Sequence, residues 1–187
     1  MKKAYSFLFI LGAMVTTMSI VSCSKSASTV ATPTLYDSLG GTTMVSDPTS
    51  TTTPKAQIEQ GRLNIRSVVD SAIFVIAGDD SIKTYFSVLL AEVGSNNFTG
   101  FTALSNNLTD FFCVGTGAKD FSYTGKSMTA AHNPATNSRI SMKVDSADFG
   151  EFVTDVVAGA HQNGLSTYQI GRLGAVIYSV EGQVVQR

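Results

Sequence analysis

The stretch Tyr123-Thr124-Gly125-Lys126-Ser127-Met128-Thr129-Ala130-Ala131-His132-Asn133-Pro134 decides how the rest of the chain is read. It predicts a short helix from Lys126 to Ala131, which places Met128 and His132 four residues apart and therefore on one face. Pro134 stops that helix, because proline lacks a backbone donor and its ring crowds the preceding turn. His132 thus ends a short helix where the backbone is fixed. The 187 residues contain only one other histidine, His161, so any mechanism needing several imidazoles is excluded.

Outward from that point the apolar residues recur at helical spacing. Phe101, Leu104, Leu108, Phe111 and Phe112 form one stripe, opposite Asn106, Asn107 and Asp110, and Gly117 closes the helix. Downstream, Asp145 or Ser146 caps a helix striped by Phe149, Phe152, Val153, Val156 and Ala160, and Gly164 ends it. Ser166 caps a last helix through Ile170, Leu173, Ile177, Val180 and Val184, which Gly171, Gly174 and Gly182 weaken. Upstream, Ile58, Ile65, Val69, Ile73 and Ile76 predict a helix from Ala56 to Ala77, ended by Gly78-Asp79-Asp80. Asp80 or Ser81 is expected to cap a short helix carrying Ile82, Tyr85 and Phe86, and Val45 to Pro54 reads as a Thr/Pro-rich loop. The fold class expected is all-α.

Composition narrows the function. With 13 basic and 14 acidic residues and a net charge of -1, the chain lacks the basic field that nucleic-acid binding needs. Two cysteines support neither a disulfide scaffold nor a thiolate-rich zinc site. Cys113, beside Phe111, Phe112 and Val114, reads as a buried free thiol. Residues 1–22 read as an export signal: Lys2 and Lys3, an uncharged run from Ala4 to Val21, then Ile20-Val21-Ser22-Cys23. That ending resembles a bacterial lipoprotein cleavage box, with Cys23 as the lipidated first residue of the mature chain. A transmembrane anchor is the alternative, since roughly 18 residues reach the lower limit for a span. Residues 23–34 are small and polar, a flexible tether to a domain at 35–187.

Two readings of His132 stay open on residues alone. It is either a satisfied core histidine or the single axial ligand of a haem iron, whose macrocycle would bury apolar area against the chain's 11 Phe.

A resemblance favours the second. Leu35-Tyr36-Asp37-Ser38-Leu39-Gly40-Gly41 is similar to the opening of group I truncated haemoglobins, and Tyr123 to His132 resembles that family's segment leading to the proximal histidine. Phe111 to Ala118 resembles the end of its helix E, Val68-Val69-Asp70 its helix B, Tyr85-Phe86 its CD pair, and Phe149 to Val185 its helices G and H. The resemblance implies a two-over-two helical sandwich with loop insertions, and haem held through iron by His132. Phe86 would pack on the haem, with Leu104, Leu108, Phe111 and Phe112 on the distal and inner wall. Tyr123 and Met128 would line the proximal side, and Phe149, Phe152 and Ile177 would lie deeper. His161 has no counterpart with a role and is expected at the surface.

The implied function is reversible binding of a diatomic gas (O₂, NO or CO) at the bacterial cell envelope. The membrane would be reached through the lipid on Cys23, with an unidentified reductase as a further partner. Two alternatives remain: a haem-dependent NO dioxygenase or peroxidase, and a degenerate globin serving as a non-haem interaction module. Where the family usually carries a distal Tyr and Gln, this chain has Ile73 and Leu108, with Leu104 at the gate. Asn106, Asn107 or Tyr85 could supply a distal hydrogen bond instead.

Overall fold

The computed structural model of the protein describes residues 32–187. The export signal, Cys23 and most of the tether lie outside the described residues. The first helix, α1 (Leu35–Ser38), is set by a capping box: Asp37 N–H donates to Thr34 Oγ1 at 3.0 Å, and Thr34 N–H to the Asp37 carboxylate at 2.8 Å. Leu35 and Tyr36 anchor it in the core, each 2% exposed. Gly41 then takes φ +55, and its carbonyl accepts from Gly61 N–H at 3.0 Å. Gly61 has no side chain because the Tyr36 ring lies against it; a Cβ there would come 2.8 Å from the ring.

The next segment corrects the expected helix start. Strand β1 (Met44–Ser46) pairs antiparallel with β2 (Gln57–Glu59), setting Val45 opposite Ile58. Gln57-Ile58-Glu59 alternates exposed, buried and half-buried, a strand pattern too short to stand out beside the longer helical one. The Thr/Pro-rich loop is the tip of this hairpin. Arg66 ties the hairpin down by donating to both carboxylate oxygens of Asp47, and these bonds hold the Asp47 carboxyl far below its usual range.

Helix α2 (Gln60–Gly78) follows, burying Ile65, Val68, Val69, Ala72, Ile73 and Ile76. A 3-10 turn (Lys83–Phe86) leads into α3 (Ser87–Gly94). The expected cap by Asp80 or Ser81 does not form. Asp80 pairs with Lys83, Ser81 N–H donates to Asp79, and Ile82 occupies the cap position. Helix α4 (Thr99–Thr116) ends at Gly117 in the left-handed region, φ +103. Helix α5 (Met128–Ala131) starts two residues later than expected because the Ser127 hydroxyl caps it, accepting from Ala130 N–H.

Asp145 caps α6 (Ser146–Gln162) and Ser166 caps α7 (Thr167–Tyr178), each through a capping box. The last helix does not run unbroken to Val184. Ser179 Oγ donates to the Val176 carbonyl at 2.6 Å, the chain tightens to an i+3 bond at Val180, and α8 (Glu181–Val184) is a separate turn.

Four helices make the body. α2 packs on α4 and on α6, while α7 packs on α4 and on α6, giving two stacked pairs. The α2–α6 contact is the closest: a Cβ on Gly159 would come 2.7 Å from the Ala72 backbone nitrogen. The fold is all-α in class, with the hairpin as its only described sheet.

Candidate functional site

His132 caps α5, and its ring is oriented by that helix. Nδ1 lies 2.8 Å from the Met128 carbonyl oxygen. A carbonyl only accepts, so Nδ1 carries the proton and Nε2 keeps its lone pair. Thr136 Oγ1 donates to the Ala130 carbonyl at 2.8 Å and Asn137 Nδ2 to the Ala131 carbonyl at 2.7 Å, tying the following loop to the end of α5. Burial pushes the His132 pKa down, outweighing the bond to Met128 that raises it, so the imidazole is neutral at pH 7. A neutral, oriented imidazole with a free nitrogen is the form that binds a transition metal.

A second feature is a small apolar cavity of about 20 Å³. Ile73, Ile76 and Ala77 of α2, Phe86, Leu89 and Leu90, Leu104 and Leu108 of α4, and Phe152 of α6 line it. Five of the residues singled out by sequence, Ile73, Phe86, Leu104, Leu108 and Phe152, are brought together here. On α4 these leucines lie beside, not on, the most buried face, which is Ser105, Thr109, Phe112, Cys113 and Thr116.

The other candidates fall elsewhere. Phe111 stacks edge-on against Phe112 at 5.2 Å and Tyr123 at 6.0 Å, and the Tyr123 hydroxyl donates to the Lys126 carbonyl at 2.7 Å. Met128 is half-buried against the core. Phe149 and Ile177 are each 2% exposed, with Phe149 edge-on to Tyr178. None of these six, nor His132, lines the cavity. Cys113 is fully buried and free, its thiol pushed up to about 11 chiefly by burial. His161 is exposed at the end of α6, and Asn106 and Asn107 are exposed on α4.

Tyr85 is occupied. Its hydroxyl lies 2.5 Å from the Asp148 carboxylate and accepts from Arg187 at 3.2 Å, and burial together with the Asp148 bond pushes its pKa up to about 12. Sequence reasoning missed Leu89 and Leu90, which lie on α3 just after Phe86. Two adjacent leucines at the end of a Phe-containing turn were the available signal.

No protein-family model matches the chain, and no curated protein does. Solved structures do. Two crystal structures of the truncated haemoglobin of Tetrahymena pyriformis superpose with a TM-score of 0.57, each covering 83% of this chain and 100% of theirs at 19% identity. One is a Tyr-to-Phe variant and the other a Gln-to-Glu variant, both in the ferric form. The chain has a truncated-globin fold. On this fold α2 and α4 form one layer and α6 and α7 the other. Among the described residues no group of three or more His, Cys, Asp or Glu side chains comes together to hold a bare metal ion. A haem, whose ring supplies most of its own ligands, needs only one from the protein.

Proposed function

We propose that this protein is a haem-binding globin of the group I truncated type that reversibly binds a diatomic gas. The observation that carries the reading is the His132 ring, with Nδ1 donating to Met128 O and Nε2 free. The donor chemistry fits the group: one neutral imidazole with a free nitrogen for the iron, and, on other elements, apolar side chains for the macrocycle. His132 would hold the iron. Phe86 would pack on the macrocycle, with Leu104, Leu108, Phe111 and Phe112 on the distal and inner wall, Tyr123 and Met128 on the proximal side, and Phe149, Phe152 and Ile177 deeper.

When bound, haem supplies an iron that coordinates a small gas. The chain's own part is to fix the imidazole and to keep water from the opposite side. The Met128 carbonyl orients the ring, and Thr136 and Asn137 bond the carbonyls of Ala130 and Ala131 at the end of α5. The peroxidase alternative needs a proton-transferring side chain near the ligand, and no titratable residue lines the cavity. The reading extends to Cys23 as a lipid attachment point that holds the domain at the bacterial cell envelope, with a reductase as partner.

Haem titration of the full chain tests it. The wild type is expected to saturate at one haem per chain with a Soret band that His132→Ala shifts and weakens. Equal uptake and identical spectra would refute it.

A further inference from the structure

Helix α5, which carries the His132 ring, is a single turn, and each of its four carbonyls is bonded. The Met128 carbonyl accepts from His132 N–H at 3.1 Å and faces Nδ1 at 2.8 Å. Those of Ala130 and Ala131 accept from Thr136 and Asn137, in the loop that follows. The Thr129 carbonyl is bonded from elsewhere: Gln186 Nε2 donates to it at 2.8 Å, from 57 residues along the chain. One turn of helix has little stability of its own, because fixing the first turn is unfavourable. The apolar contact of Met128 with the core holds α5 down but is non-directional. The loop bonds move with α5, so Gln186 is what ties its carbonyl end to another element.

Gln186 is itself fixed on both sides. Val185 bridges in parallel to Val144, and Gln186 N–H donates to the Val144 carbonyl at 2.9 Å. Arg187 donates to the Asp148 carboxylate at 2.7 Å and pairs with Asp145 at 3.0 Å, the two residues of the α6 capping box. The Tyr85 hydroxyl joins them, 3.2 Å from Arg187. We propose that Val185 to Arg187 form a strap that sets the orientation of the His132 ring, with Gln186 as a positioning residue and Arg187 as its clamp. The inference rests on the haem reading for what His132 holds, and on these bonds alone for how the ring is held. Without the Gln186 donor, the Thr129 carbonyl turns to water and α5 is free to rock on its loop. The Met128 carbonyl then leaves Nδ1 part of the time, and nothing keeps the proton on that nitrogen. In that fraction Nε2, the nitrogen offered to the iron, carries the proton instead.

The test compares Gln186→Met, which keeps the length and removes the donor, with Gln183→Ala, an exposed change on α8. Both are made in the purified full chain, and the first arm needs no iron. Nitrogen-15 spectra of the His132 ring are recorded at a pH where it is neutral. Wild type and Gln183→Ala are expected to show the Nδ1–H tautomer, and Gln186→Met a mixture of the two. Exchange of the Ala131 and His132 amides is expected to quicken about fivefold to tenfold in Gln186→Met, the loss of one net hydrogen bond. Amides of α2 and α6 should keep their wild-type rates. A ring that stays wholly Nδ1–H in Gln186→Met would overturn the proposal, as would faster exchange spread evenly over α2 and α6. Arg187→Met is expected to move both readouts the same way, and no movement there would remove the clamp. In the second arm the ferrous haem-loaded protein is read by resonance Raman. Gln186→Met is expected to take up haem as the wild type does but to shift or broaden the iron–histidine band, and an unchanged band would overturn the role towards iron. If the wild type takes up no haem, the function proposed above falls, and the ring spectra decide the strap by themselves.

Discussion

Asp155 offers the sharpest test of the core. It lies on α6, is 6% exposed, and its Oδ2 has no hydrogen-bond partner. Burial, with smaller contributions from the negative charges of Asp79 and Glu151, pushes its pKa up to about 6 from an ordinary 3.8. The folded state therefore binds the proton more tightly than the unfolded state. The sign follows: stability is highest below the unfolded pKa and falls as pH rises through about 4 to 6. A shift of about 2 units at 1.36 kcal/mol each gives a penalty on the order of 3 kcal/mol above pH 6.

Asp155→Asn keeps the shape and removes the charge, although its amide must also find a partner. The gain expected at pH 8 is therefore about 2 kcal/mol. Urea unfolding at pH 4 and pH 8 measures it: the variant should unfold at distinctly higher urea at pH 8 and nearly with the wild type at pH 4. A variant no more stable than wild type at pH 8, or a difference independent of pH, would refute the reasoning.

Gly159→Ala should destabilise the fold by about 1–3 kcal/mol, read as a lowered thermal midpoint, because the added Cβ meets the Ala72 backbone at 2.7 Å where neither helix can yield. Cys113 should resist thiol reagents at pH 8 until denaturant is added, since it is fully buried and its thiol is pushed up to about 11. Cys23→Ser should abolish incorporation of labelled fatty acid and release the protein from the membrane fraction; persistent labelling would contradict the envelope anchor.

What was legible in the sequence was what long periodic segments carry. The α4, α6 and α7 stripes span three or more turns each, so their apolar faces repeat often enough to identify, and the Asp145 and Ser166 caps mark two starts. Gln57-Ile58-Glu59 went unread because three residues of strand pattern adjoin nineteen of helix, and Ile58 satisfies both periods. The cap at Ile82 was hidden because Asp79 and Asp80 both had competing partners, Ser81 and Lys83. At the site, His132 and its relation to Met128 were readable from four-residue spacing alone. The cavity was only half readable: Leu104 and Leu108 stood on a stripe, but Leu89 and Leu90 reach it from a different element. No local pattern encodes that meeting.

Ligation of iron by His132 is the central claim, and imidazole rescue tests it most directly. His132→Gly, reconstituted with ferrous haem, should lose the iron–histidine stretching band seen by resonance Raman in the wild type, and added imidazole should restore a band of that kind. A band that survives in His132→Gly without imidazole would show that another residue holds the iron, contradicting the account.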